Sequence, residues 1–163
     1  MRDDEFERLY AAEAPGLFSF LAYRTGDRGL AEDLLADAFE RALRARGRFD
    51  RRRGSEKTWL YAIALNCLRD NARRRAAEAR ALERAGGERG TAGDPALAAV
   101  EHRDEVQRAL GTLSAEEREA IALRFGAELS MPEMAGLLGE SLTTIEGRVY
   151  RALRKLRARL GAD

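Results

Sequence analysis

The sequence predicts an all-α protein of two small helical domains joined by a flexible linker, the C-terminal domain a helix-turn-helix. Three observations carry that prediction. Apolar residues recur at three- and four-residue steps along most of the 163-residue chain, the spacing of helix faces rather than of strands. Residues 86–95 hold four glycines and one proline in ten positions, which marks a flexible linker between helical units. Near the C-terminus, Ser130 to Gly139 followed by a long basic stretch reads as a short capped helix, a turn and a second helix. The two domains are accordingly expected at residues 1–85 and 96–163.

The first helix is expected from Asp4 to about Tyr23, with Phe6, Leu9, Tyr10, Leu17, Phe18 and Leu21 as its apolar residues and Pro15 as a bend or break. Gly26 ends it. Asp27 is a good N-cap for a second helix running to about Arg46, whose buried stripe includes Ala31, Leu34, Leu35, Ala38 and Ala42. Asp33, Asp37 and Glu40 then share one exposed stripe, which by itself is a solvated acidic face. Arg44 to Lys57, rich in arginine and glycine and lacking helical periodicity, reads as a loop around Phe49. A third helix begins near Ser55 and runs through Arg75, extending toward Ala85, with Leu60, Ile63, Ala64, Cys67 and Leu68 as its core stripe. Trp59, Asn66, Asp70, Arg73 and Arg74 fall near another face. An aromatic ring beside cations suits single-strand recognition, and Trp59 suits plain core equally well.

Beyond the linker, Asp94 and Pro95 form the N-cap and first residue of a fourth helix that runs to about Leu110. Ser114 with Glu117 forms a capping box for the helix holding Ile121, Leu123 and Phe125. Ser130 with Glu133 forms another, Leu129 and Met134 have the spacing of a hydrophobic staple, and Gly139 supplies a left-handed stop. After a turn at Gly139 to Leu142, Thr143 caps the last helix with Glu146 as its capping-box partner. Ile145, Val149, Ala152, Leu153, Leu156 and Leu160 form its apolar stripe, and Arg148, Arg151, Arg154, Lys155, Arg157 and Arg159 fill much of the rest. A basic second helix of this kind enters the DNA major groove in helix-turn-helix proteins, whereas on an ordinary hairpin it is a solvated face.

The net charge of +1 hides strong patterning. Residues 1–43 carry a net of −5, residues 44–75 a net of +8, residues 76–140 a net of −6 and residues 141–163 a net of +4. Two separated basic blocks imply two anionic contact sites, and the near-neutral total implies weak nonspecific DNA affinity for the free chain. A single cysteine, Cys67, excludes an internal disulfide framework, and with one histidine, His102, a metal site is not expected. No cofactor is expected either. No apolar run is long enough to span a bilayer and no signal peptide is evident, so a soluble cytoplasmic protein without membrane insertion is expected. No phosphate-binding glycine loop, metal-ligand spacing or nucleophile–base pair points to an enzyme.

Three stretches resemble the extracytoplasmic-function group of the sigma-70 family of bacterial RNA polymerase sigma factors, in family order. Ala31-Glu-Asp-Leu-Leu-Ala-Asp-Ala-Phe-Glu-Arg-Ala-Leu43 is similar to the core-polymerase-binding helix. Thr58-Trp-Leu-Tyr-Ala-Ile-Ala-Leu-Asn-Cys-Leu-Arg-Asp70 with Arg73 to Arg75 is similar to the promoter-melting and minus-ten segment, and Leu113 to Phe125 with the helix-turn-helix is similar to the minus-thirty-five domain.

The resemblance implies a specificity subunit that joins core RNA polymerase, reads the minus-thirty-five element as duplex and captures the minus-ten element as an opened strand. It assigns Asp33, Asp37, Phe39, Glu40 and Arg41 to the polymerase contact. Phe49, Arg52, Arg53, Trp59, Asn66, Arg73 and Arg74 fall to the minus-ten DNA, with Phe49 and Asn66 at a pocket for an extruded base. Thr143, Thr144, Arg148, Arg151 and Lys155 fall to the minus-thirty-five DNA. Promoter DNA, core polymerase and an anti-sigma factor are the implied partners. Glu146 departs from the Lys or Arg of many members, and a capping role is preferred for it over acceptance from a cytosine amino group. The competing reading is a helix-turn-helix regulator that acts without joining polymerase, for which the acidic stripe and the basic aromatic segment of the first domain have no use.

Overall fold

The structure, a computed structural model, describes residues 1–86 and 104–161. Three long helices make the first domain: α1 (Asp3–Thr25), α2 (Arg28–Ala45) and α3 (Glu56–Arg84). Gly26 adopts the left-handed conformation, φ 64°, that lets its amide close α1 on the Ala22 carbonyl. Asp27 then caps α2 by accepting from the Leu30 amide, so α2 folds straight back along α1. The rings confirm the antiparallel pairing, because Phe6 and Tyr10 at the start of α1 meet Phe39 near the end of α2, with centroids 6.3 and 4.6 Å apart. The break expected at Pro15 does not occur. Pro15 lies on the exposed face, where the carbonyl it cannot bond is open to water, and Ser19 Oγ donates to the Pro15 carbonyl at 3.0 Å.

Leu17, Phe20 and Leu21 of α1 interlock with Ala31, Leu34 and Ala38 of α2 and with Leu60, Tyr61, Ala64 and Leu65 of α3, all buried. Alanines at the centre of α2 allow its neighbours a close approach. Phe20 takes the core place that spacing gave to Phe18, and its ring meets Tyr61 edge-on at 5.5 Å. Ser55 caps α3 through the Thr58 amide. Cys67 is buried, and burial, with Asp37 beside it, pushes its thiol up to about 12, which keeps it protonated and unreactive at neutral pH. The expected loop over Arg44 to Lys57 contains two 3₁₀ turns, Arg46–Arg48 and Arg51–Arg53, the second capped by Asp50.

The second domain contains α4 (Asp104–Gly111), α5 (Ala115–Ile121), α6 (Met131–Leu138) and α7 (Leu142–Leu160). The linker beyond Gly86 and the expected start of the fourth helix lie outside the described residues. Two of the three expected capping boxes form, Ser114 with Glu117 and Ser130 with Glu133. Leu129 and Met134 are fully buried and Gly139 is left-handed, φ 68°. Between α5 and α6 a π-helical turn, Ala122–Gly126, closes with the Ala127 amide on the Ala122 carbonyl, and a positive φ of 54° at Glu128 redirects the chain.

One cap differs from expectation. Ser141, not Thr143, caps α7, accepting from the Thr144 amide at 3.1 Å and meeting the Thr144 hydroxyl at 2.7 Å. Starting the helix at Leu142 brings two more residues into it, and Glu140, just before the cap, is then in reach of Arg148.

The domains touch. α1 packs on the π-helical turn, α3 packs on α6, and a continuous buried cluster joins Leu9 of one domain to Val149 of the other. Two polar contacts at the long end of the hydrogen-bond range span the seam, Arg24 to Glu119 at 3.5 Å and the Thr58 hydroxyl to Glu133 at 3.5 Å. Among the described residues no helix is long and apolar enough to cross a membrane, and no strand occurs.

Candidate nucleic-acid interface

The first basic block is organised by its loop. Arg51 reaches both Glu5 of α1 at 3.0 Å and Glu56 of α3 at 2.9 Å, and Arg46 reaches Asp3 at 2.7 Å. These bridges tie the 3₁₀ turns to the helix bundle. Arg52 and Arg53, by contrast, are exposed and make no ion pair among the described residues. Phe49, half-buried, packs its ring on Trp59 with centroids 5.2 Å apart, so the two aromatics form one surface. A cavity of about 750 Å³ opens against them, lined also by Arg53, Ser55 and Thr58 of the first domain and by Pro132, Gly136 and Leu137 of α6. Phe49, Arg53 and Trp59 are therefore brought together. Asn66 is exposed two turns further along α3 and does not line that cavity. Arg73 and Arg74 lie beyond it on the exposed end of α3, loosely paired with Asp70 at 4.0 Å and Glu78 at 3.9 Å.

The expected polymerase-facing helix divides into an outer and an inner set. Asp33 and Glu40 are exposed, and Glu40 holds Arg44 one turn on. Arg41 bridges Asp37 on its own helix at 2.9 Å to Asp70 on α3 at 2.7 Å. Its hydrogen bond lowers the Asp70 carboxyl below the ordinary value, and the two bonds raise the guanidinium further still. Phe39 is in the inner set: it is buried against Phe6 and Tyr10 and supports the helix instead of facing outward.

Helix α7, the expected recognition helix, sorts its cations in the same way. Arg148 is 8% exposed and points inward, forming a two-pronged bond to Glu140 at 3.0 and 2.6 Å, with Glu116 at 3.7 Å. The hydrogen bond to Glu140 raises its pKa despite the opposing effect of burial. Lys155 reaches both oxygens of buried Glu117 at 3.0 and 2.8 Å. Burial acts to raise the Glu117 carboxyl, but Lys155 and the Ser114 amide outweigh it and hold the pKa below the ordinary 4.5. Two of the cations expected at DNA thus bind the domain together. The exposed side of α7 carries Thr143, Thr144, Tyr150, Arg151, Arg154 and Arg157, with Glu146 and Gly147 half-exposed beside them. Tyr150, 64% exposed, was not expected at this surface, although its position three residues past Gly147 and opposite the apolar stripe is readable from helical spacing.

Comparison with known proteins follows the same division. The model of Sigma-70 region 2 matches residues 9–78, and that of Sigma-70, region 4, matches residues 103–156. The chain is 35% identical to RNA polymerase sigma factor CarQ of Myxococcus xanthus over 97% of this chain and 90% of CarQ. It is 31% identical to the ECF RNA polymerase sigma factor SigX of Bacillus subtilis over 95% of this chain and 83% of SigX. Among solved structures it is similar to the sigma factor RpoE of Bartonella quintana in co-crystals with the anti-sigma factor NepR, with a TM-score of 0.78, 28% identity and 98% of each chain covered. It is also similar to CnrH in complex with the cytosolic domain of CnrY, with a TM-score of 0.69, 28% identity, and 99% and 91% of the two chains covered.

Proposed function

The chain belongs to the extracytoplasmic-function group of the sigma-70 RNA polymerase sigma factors, and from that premise we propose how its residues divide the work of promoter-specific initiation. Residues 1–85 bind core polymerase and the opened minus-ten strand, residues 86–95 act as a linker, and residues 96–163 read the minus-thirty-five duplex. The protein is a dissociable, non-catalytic subunit that works in the cytoplasm. The observation that carries this reading is the pairing of two distinct exposed cationic surfaces, one per domain.

In the first domain the Phe49–Trp59 surface offers stacking to an unpaired base, and Arg52 and Arg53 stand beside it to follow the backbone. Extruding a base costs a few kcal/mol of stacking and pairing, which such contacts offset. Pro132 and Leu137 of α6 form the opposite wall of the cavity that a base would enter. Asn66, Arg73 and Arg74 extend the strand contact along α3. The polymerase contact uses Asp33, Asp37, Glu40 and Arg41, with Phe39 shaping the helix from beneath. Complementary charge there speeds and orients docking. In the second domain Thr143, Thr144 and Arg151 approach DNA, while Arg148 and Lys155 fix the helix that presents them.

The similarity to RpoE, solved in complex with the anti-sigma factor NepR, supports an anti-sigma partner for this chain as well. The test is size-exclusion chromatography with core polymerase followed by initiation on a candidate promoter. Co-elution with a gain of promoter-specific transcripts is expected; duplex binding without co-elution identifies the stand-alone regulator instead.

A further inference from the structure

Glu146 has no polar partner among the described residues of the second domain. Its expected capping partner is absent from that role, because Ser141 caps α7. Glu117, Glu133 and Glu140 each hold a cap or a cation, whereas Glu146 makes no hydrogen bond or ion pair among the described residues. The helix offers it none. Residues three and four positions away are Leu142, Thr143, Val149 and Tyr150, with no cation among them. The carboxylate is half-exposed in the N-terminal half of the recognition helix, the part that meets base edges in helix-turn-helix docking. Its neighbour Gly147 has no side chain to hold the helix away from the groove, and the Arg151 guanidinium lies across that position, 3.3 Å from where a Cβ would stand.

An unpaired acid facing a polyanion lowers affinity for every sequence unless it finds a donor. The donors exposed in the major groove on pyrimidine and purine edges are the cytosine N4 and adenine N6 amino groups. Adenine sets its N7 acceptor next to N6, which repels a carboxylate, while cytosine offers its amino group beside its own C5–H, with no acceptor of its own on that edge. Guanine and thymine present acceptors only at this edge.

We propose that Glu146 is a specificity-determining residue that accepts from the N4 amino group of one cytosine in the minus-thirty-five element and rejects the other bases there. The inference rests on the minus-thirty-five reading of α7. Its test uses the full-length protein with core polymerase on a promoter library randomised across the minus-thirty-five element, comparing wild type with Glu146→Ala and Glu146→Gln. Wild type is expected to prefer cytosine at one position by about tenfold or more. Glu146→Ala reduces that preference to less than about threefold, and Glu146→Gln moves it toward adenine, whose N6 and N7 an amide can bond together. Preferences at the remaining positions persist in both variants and report that the domain is folded. Identical preferences in all three proteins, or a gain for Glu146→Ala that is equal on every sequence, would overturn the proposal. If wild type selects no minus-thirty-five sequence at all, the underlying reading of α7 fails, and this inference with it.

Discussion

The two basic blocks of this chain look alike as sequence and behave differently as structure. In the first, around Arg44 to Arg75, the ion pairs are at the surface: Arg51, Arg73 and Arg74 keep 69%, 81% and 69% of their side chains exposed. Such pairs hold about 0–1 kcal/mol and are readily exchanged for a phosphate. In the second block, Arg148 keeps 10% of its side chain exposed and is held by two short bonds to Glu140. A buried, two-pronged pair is not available to DNA without breaking the domain. On the proposed reading, only the positive charge that the structure leaves free is available to DNA.

Substitutions can break or sharpen that contrast. The largest effect is expected at Arg148→Ala, which strands Glu140 and should lower unfolding stability by about 3 kcal/mol, read by urea titration of the full-length chain. A loss of DNA affinity with unchanged stability would put Arg148 back on the DNA. Arg151→Ala is its opposite. Stability should stay within about 0.5 kcal/mol while promoter affinity falls about tenfold and the salt slope drops by about 1. Lys155→Ala lies between them: it leaves buried Glu117 without its cation and should remove about 1 kcal/mol, discounted because Lys155 itself is half in water. The same pair predicts a pH effect. Glu117 titrates below its ordinary 4.5 in the folded chain, so its contribution is present above that value and is lost as pH falls through the folded pKa. Thermal melts below pH 4.5 should show a smaller acid loss in Glu117→Gln than in wild type. The smallest effect is expected in the first block, where Asn66→Ala should slow open-complex formation roughly fivefold, the loss of one neutral hydrogen bond, with less effect on initial duplex binding. Equal losses in both steps would remove Asn66 from strand capture.

Much of this architecture is written locally. Gly26 with Asp27, Ser55, the Ser114–Glu117 box and the Ser130–Glu133 box are short-range signals, and each helix end they specify forms where they stand. The misjudged cap arises from local competition, because Ser141 and Thr143 are both competent and two residues apart. With Ser141 as the cap, Glu140 meets Arg148 across the turn, eight residues away, a pairing that local spacing does not reveal. Pro15 stays in α1 because of the side it faces, and Phe39 turns inward because Phe6 and Tyr10 from another helix surround it. Lys155 is the same kind of case, its partner Glu117 lying 38 residues away. The candidate surfaces were legible as residue types; which members face outward depends on tertiary pairing.

The most direct test of the whole account is run-off transcription by core polymerase, with and without this protein, on a library randomised over both promoter elements. The account predicts that the protein enriches templates carrying two fixed blocks at constant spacing, that Arg151→Ala relaxes the upstream block, and that Arg52→Ala with Arg53→Ala weakens the downstream one. Enrichment no greater than with core polymerase alone would contradict it.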